Sequence, residues 1–340
     1  MSGVFNFIIN KGKIQLSWIA LGLSILLWTL SCTKGVLLPN VDSNQKLTEI
    51  TLQWNKLYLE LERYNYEYRP PVSSRNIAYI SYIAYETSVA SMEGYKSISS
   101  LYKDLELPIA PKKDQYELSL ALNRAYAVAL KYYLRTTPNE HFRKIDILEK
   151  NIENTLRSEL EPQLVESSIS YGESIANAIT LWSSRDLAGH EAFLHLYDSE
   201  YKVNKDKGSW EPTPTHPSLP LLPHWGDVRP FVIDINSLVV NKPMPFSEEP
   251  GSKMYLDAVE LVSLSSPLSE ENKWISDFWS DDHHNLTYSP AARWISITNQ
   301  IIERESPEFE KVIETYLRVS FALCDVAIAT WKTKYETARE

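Results

Sequence analysis

Cysteine is nearly missing from this chain. There are two in 340 residues, Cys32 and Cys324, far too few for a disulfide framework. Glycine is also scarce, at ten, and no glycine-rich phosphate loop or Gly-x-Ser-x-Gly nucleophile elbow occurs. Basic charge is outweighed by acidic: 34 Lys and Arg against 44 Asp and Glu give a net charge of −10. That balance, with no long Lys/Arg cluster, excludes electrostatic capture of nucleic acid or an anionic lipid surface. No interval of 20–50 residues repeats, so a solenoid has no support.

What remains is ordinary globular material, rich in aromatics. Apolar residues make up 44% and charged residues 23%, a ratio that argues for a packed core and against disorder. Ten Trp and twenty Tyr read as helix-interface packing. The first 31 residues read as an export signal: Lys11 and Lys13 form a basic start, and Ile14 to Leu30 is apolar with few interruptions. Leu30-Ser31-Cys32 has the shape of a bacterial lipoprotein box, with Thr29 where Leu is usual. Cys32 is then the lipidated residue and membrane anchor of an exported protein. A single uncleaved membrane anchor is the competing reading, and both place the remainder outside the cytoplasmic membrane. Residues 32–45 are expected to be a tether. Cys324, in an apolar helical run, reads as a core residue.

From residue 46 onward helical spacing dominates, and the expected fold class is all-α. Trp54, Leu57, Tyr58 and Leu61 form an apolar stripe, and Arg69-Pro70-Pro71 ends that helix. Further helices are expected at 75–92, 116–134, from Thr137-Pro138-Asn139-Glu140 as a capping sequence, and from Pro162 to Trp182. Phe231 to Val240 is the one weak strand candidate. Residues 208–250 hold nine prolines between Pro212 and Pro250, mixed with Trp210, Trp225 and Phe231. Such a stretch is too proline-rich for a helix and too aromatic for a linker, so it predicts a long ordered loop packed over helices. Helices are expected again at 253–264, 270–279, from Ser289-Pro290 to Ile301, and from Ser306-Pro307-Glu308 onward, with Phe309, Val312, Ile313, Tyr316, Leu317 and Phe321 inward.

The last helix runs through Trp331 and Lys334 to Glu340. It resembles the approach to the first signature of the vanadium-dependent haloperoxidases and type 2 phosphatidic-acid phosphatases, a Lys followed after six residues by Arg-Pro. Other segments are similar to that superfamily in order and spacing. They are Pro70 to Glu86, Tyr171-Gly172 to Ile179 with Trp182 and Asp186, Gly208-Ser-Trp210-Glu-Pro212, and Pro223-His-Trp225-Gly226 with Pro230-Phe231. Phe278-Trp279-Ser280-Asp281 and Ala292-Arg293 continue the pattern.

The resemblance implies an N-terminal haloperoxidase-like helical array that stops inside the first motif. It implies vanadate or phosphate chemistry, either halide oxidation by vanadate and peroxide or phosphomonoester hydrolysis. Lys334 alone carries over, as an oxyanion or vanadate contact. A Lys point charge and an Arg fork suit an anion whose oxygens gain charge in the transition state. The Pro-Ser-Gly-His and Ser-Arg…His segments of the superfamily are missing from this sequence. The chain by itself is therefore expected to be inactive and to bind no vanadate. The catalytic half is lost to a frameshift or stop, encoded by a neighbouring reading frame, or cut from this sequence, and a separately encoded half is the implied partner in the second case. The apolar face of the 307–338 helix should then lie exposed. A non-catalytic, all-helical surface lipoprotein that binds a nutrient or partner is the alternative.

Other constellations carry less. Ser184-Arg185 to His190 has four residues between Arg and His where the superfamily has five, and reads as a helix end turning at Gly189. His190-Glu191-Ala-Phe-Leu-His195 is one residue too long for a zinc-protease motif. Asp281-Asp282-His283-His284 reads as an acidic loop, and Asn285-Leu286-Thr287 is a formal glycosylation triplet. No metal site is expected.

Overall fold

At the centre lies a helix with no solvent face. A computed structural model describes residues 42–65, 70–190, 192–212, 219–280 and 286–338. Within them α1 spans Ser43–Glu62, α2 Pro70–Ser88, α3 Leu118–Tyr133, α4 Asn139–Arg157 and α5 Pro162–Ser184. After a long non-helical stretch come α6 (Lys253–Ser265), α7 (Glu270–Trp279), α8 (Pro290–Glu305) and α9 (Phe309–Thr337). The architecture is all-α, and the described residues contain no strand.

Every residue of α2 from Pro71 to Ser88 is buried. Helices α3, α5, α8 and α9 pack around it, with α9 the most extensive neighbour. Small and β-branched side chains let those neighbours approach. The polar ones are satisfied locally: Thr87 Oγ1 donates to Ile83 O (2.8 Å) and Ser88 Oγ to Ala84 O (2.8 Å). Glu62 at the end of α1 is also buried. It accepts from Ser73 Oγ of α2 (2.7 Å) and from the Ser289 backbone N–H (3.1 Å), joining α1, α2 and the start of α8.

Helices α3 and α5 cross at Gly172. A Cβ there would stand 2.0 Å from Ala121 O, so only glycine permits the approach. Arg124 of α3 bridges Glu149 of α4 (2.6 Å) and Glu173 of α5 (3.0 Å), and Lys131 adds a second cation on Glu149 (2.7 Å). Trp54 donates to Asn123 Oδ1 (3.0 Å) and stacks on Tyr126 at 6.1 Å. Full burial of such side chains contributes about 2 kcal/mol each. Trp54, Trp225, Tyr58, Tyr79, Tyr82, Tyr126 and Tyr316 are all in this position, so much of the aromatic enrichment is core.

Several boundaries differ from expectation. Helix α1 begins at Ser43, inside the stretch read as tether. Helix α1 ends at Glu62 with Arg63 as its C-cap, before Arg69-Pro70-Pro71 is reached, and Pro70 instead opens α2, because proline fits a first helical turn. Pro138, not Thr137, is the N-cap of α4; the Thr137 hydroxyl is held by Asn65 instead (2.9 Å). Ser306 is the left-handed C-cap of α8 (φ 45°), and Glu308 is the N-cap of α9. Phe231–Val240 is bends and one 3-10 turn, Ile235–Ser237, because its amides serve a carboxylate described below.

The exposed apolar surface expected along the last helix is elsewhere. Helix α9 buries Phe309, Val312, Ile313, Tyr316, Leu317, Phe321, Cys324 and Ile328. Its one large exposed apolar residue is Val326. Helices α6 and α7 instead bury no residue at all. No described helix is long and apolar enough to cross a membrane. The leader, Cys32 and most of the tether lie outside the described residues.

Candidate functional site

Lys334 lies in the last turn of α9, and the proline-rich loop folds onto that end of the helix. Trp331 Nε1 (3.3 Å) and Tyr335 OH (2.5 Å) both donate to Leu221 O. Trp210 N donates to Ala338 O at 2.9 Å. The Trp225–Asp227 turn packs against α9, where a Cβ on Gly226 would stand 3.0 Å from Lys332 Cα. Glycine at that position lets the loop approach the helix backbone.

The Lys334 ammonium sits 5.2 Å from the Trp331 ring centroid and 5.7 Å from that of Tyr335. Partial burial holds its pKa below the usual lysine range. Among the described residues no carboxylate pairs with it. Tyr335 meets Tyr201 edge-on at 5.4 Å, Tyr201 meets His224 at 5.8 Å, and His224 Nε2 is 2.8 Å from Asp198 Oδ2. That hydrogen bond lowers the Asp198 pKa. This arrangement presents a single unneutralised cation on an aromatic wall, which can attract an anion. It cannot by itself transfer a proton or form a covalent intermediate.

Nearer the middle of α9, a second set of charges is buried or half-buried. Arg75 Nε donates to Asp186 Oδ2 (3.2 Å) and its Nη2 to Ser183 O (2.8 Å). Arg229 lies flat on Trp182, 3.6 Å from the ring centroid, and its Nη2 donates to Trp182 O (2.8 Å) and Tyr79 OH (3.1 Å). Asp325 of α9 accepts from three successive backbone N–H groups, those of Phe231 (2.7 Å), Val232 (2.7 Å) and Ile233 (3.0 Å). Together these groups clamp residues 229–233 between α2, α5 and α9. The clamp floors an open groove of about 1400 Å³, with Leu101, Val232, Val239 and Val326 exposed along it. Burial pushes the Cys324 thiol well above its usual range, so it is inert beside this set.

The other sequence candidates fall apart from these sites. Arg185 is the C-cap of α5, donating to Asp104 O (3.0 Å), and residues 187–190 form a turn. What the Ser184–His190 segment contributes is the Asp186 carboxylate. His190 lies near Tyr132 (6.5 Å) and His195 is exposed. Among the described residues no three His, Cys, Asp or Glu gather as metal ligands. Residues 281–285, which hold the acidic run and the first position of the glycosylation triplet, lie outside the described residues. Vanadate requires several donors at once. The described residues bring Lys334 and nothing convergent with it, so they do not form a complete vanadate site.

Sequence reading missed Arg229 and Asp325. A signal existed for Asp325: one acid within the apolar run from Phe321 to Ile328 demands a buried partner. Arg229 had none, because its role depends on Trp182, distant in sequence and adjacent in the fold.

No family profile matches this chain, and no curated protein matches it. Among solved structures, the fold is similar to the crystal structure described as the first bacterial vanadium-dependent iodoperoxidase. The two share 24% identity with a TM-score of 0.68, over 87% of this chain and 68% of that one. At this identity the likeness establishes a haloperoxidase-like helical fold.

Proposed function

We propose that this chain is the N-terminal helical part of a haloperoxidase-type or phosphatase-type catalyst. In this reading Lys334 is its first oxyanion contact, and the other catalytic groups come from polypeptide beyond these residues. One observation carries it: in a fold like that of a vanadium-dependent iodoperoxidase, the residue matched by the resemblance is a desolvated cation with no described counter-ion. A lysine so placed gains most from an anion whose charge grows during reaction. When bound, vanadate would supply peroxide activation; this chain's part is to hold one of its oxygens. Export and lipidation at Cys32 belong to the same proposal, with no nucleic-acid partner. Metabolic labelling with a radioactive fatty acid, lost on Cys32→Ser, supports the anchor.

The purified chain with vanadate, peroxide and iodide, or with a phosphomonoester, gives no turnover above the protein-free blank. Supplied with the polypeptide encoded immediately after codon 340, it turns over, and Lys334→Ala lowers the rate about 100-fold. Turnover by the chain alone, or an unchanged rate in Lys334→Ala, overturns the reading. The runner-up, a ligand-binding surface lipoprotein, draws support from the groove beside Asp325. It is favoured if no following sequence supplies an Arg-Pro pair and later histidine segments.

A further inference from the structure

Helix α6 reads Lys-Met-Tyr-Leu-Asp-Ala-Val-Glu-Leu-Val-Ser-Leu-Ser, apolar around most of its circumference. A helix of that composition belongs inside a structure. Yet Leu256, Val259, Leu261, Val262 and Leu264 are all exposed, Leu261 at 69%. In α7, Trp274, Ile275, Phe278 and Trp279 fall on one face, with Trp274 stacked on Phe278 at 5.4 Å, and all four are exposed. Both helices are well formed: Ser252 Oγ accepts from Tyr255 N (3.3 Å) and Ser269 Oγ from Asn272 N (3.0 Å). Arg293 of α8 reaches α7, donating to Phe278 O (3.1 Å) with its guanidinium 5.7 Å from that ring. The rest of the hairpin is folded, apolar and exposed, which is the character of an interface.

We propose that the α6–α7 hairpin is the docking surface for a further helical segment of polypeptide, carrying an apolar stripe flanked by Lys and Arg. The proposal rests on the functional reading above. Two observations choose this occupant. The iodoperoxidase match takes 87% of this chain but 68% of the other, so roughly a third of that chain has no counterpart here. The hairpin also holds Asp257, Glu260, Glu270, Glu271 and Asp277 against Lys253 and Lys273. An acidic surface on a chain of net charge −10 repels a second copy of itself and an anionic membrane alike, and favours a basic partner.

The test co-expresses the tagged chain with the polypeptide encoded after codon 340. A one-to-one complex is expected by light scattering, with hydrophobic-dye binding by the free chain lost on assembly. Leu261→Glu and Trp274→Glu weaken the complex at least 100-fold while leaving the helical circular dichroism of the free chain intact, and Lys334→Ala assembles as wild type. Variants that bind like wild type overturn the proposal. So does a free-chain dimer that the same variants split, which assigns the surface to a second copy. A following sequence with no such helix overturns it outright. An assembled complex without turnover counts against the catalytic reading and leaves the docking surface standing; an active complex indifferent to the hairpin variants does the reverse.

Discussion

Asp325 shows how one side chain can hold a long loop. Its carboxylate accepts three backbone N–H groups from residues 231–233, each stronger than a neutral hydrogen bond because the acceptor is charged. Asp325→Asn keeps the shape but turns one acceptor oxygen into a donor facing those amides. It is expected to cost about 3 kcal/mol in urea unfolding and to release the 229–233 segment to protease. Glu86 makes the opposite kind of contribution. Burial raises its pKa above the usual carboxylate value, although it accepts from Ile98 N at 3.0 Å. The folded state therefore binds that proton more tightly than the unfolded chain. The associated stability is complete below the ordinary carboxylate range and is lost as pH rises through the raised value. Unfolding free energies measured from pH 4 to 8 should fall less steeply in Glu86→Gln than in wild type. At this scale Lys334 is singled out as a proposed anion contact by resemblance, since a lysine in a last helical turn is otherwise a favourable surface charge.

Among the elements, the α3–α5 crossing tolerates no side chain at Gly172. Gly172→Ala places a methyl on Ala121 O and is expected to cost at least about 2 kcal/mol, read as a lowered thermal midpoint. The hairpin behaves differently. Because Leu261 is buried against nothing described, Leu261→Ser should change the stability of the chain by less than about 0.5 kcal/mol. The positions of α3, α5, α7 and α9 were legible from apolar spacing and from proline punctuation. The caps were less so. Thr137 and Ser306 have the right chemistry, but Asn65 takes the first hydroxyl and a left-handed turn takes the second residue. Tertiary partners outcompeted local capping at both places.

For the molecule as a whole, the described residues from Asp42 onward form one compact unit arranged around α2. Since α2 is shared by α3, α5, α8 and α9, its loss removes the core of all of them. Circular dichroism and tryptophan fluorescence should therefore report a single coincident unfolding transition. Cys324, buried and with its thiol kept protonated, should resist thiol reagents in the native chain and react once it unfolds.

Composition and apolar period determined by themselves that this chain is helical, acidic, and independent of a disulfide network. The proline and tryptophan content of residues 208–250 determined that an ordered loop would lie over helices, because those residue types forbid a regular element yet demand burial. Only the tertiary structure decided where that loop lies and what pins it. Arg75, Asp186, Arg229 and Asp325 are scattered across 251 positions of sequence and meet because α2, α5 and α9 are neighbours. It also decided that the uncovered surface is the α6–α7 hairpin rather than α9. Period reveals that a face is apolar; what covers that face is set by packing.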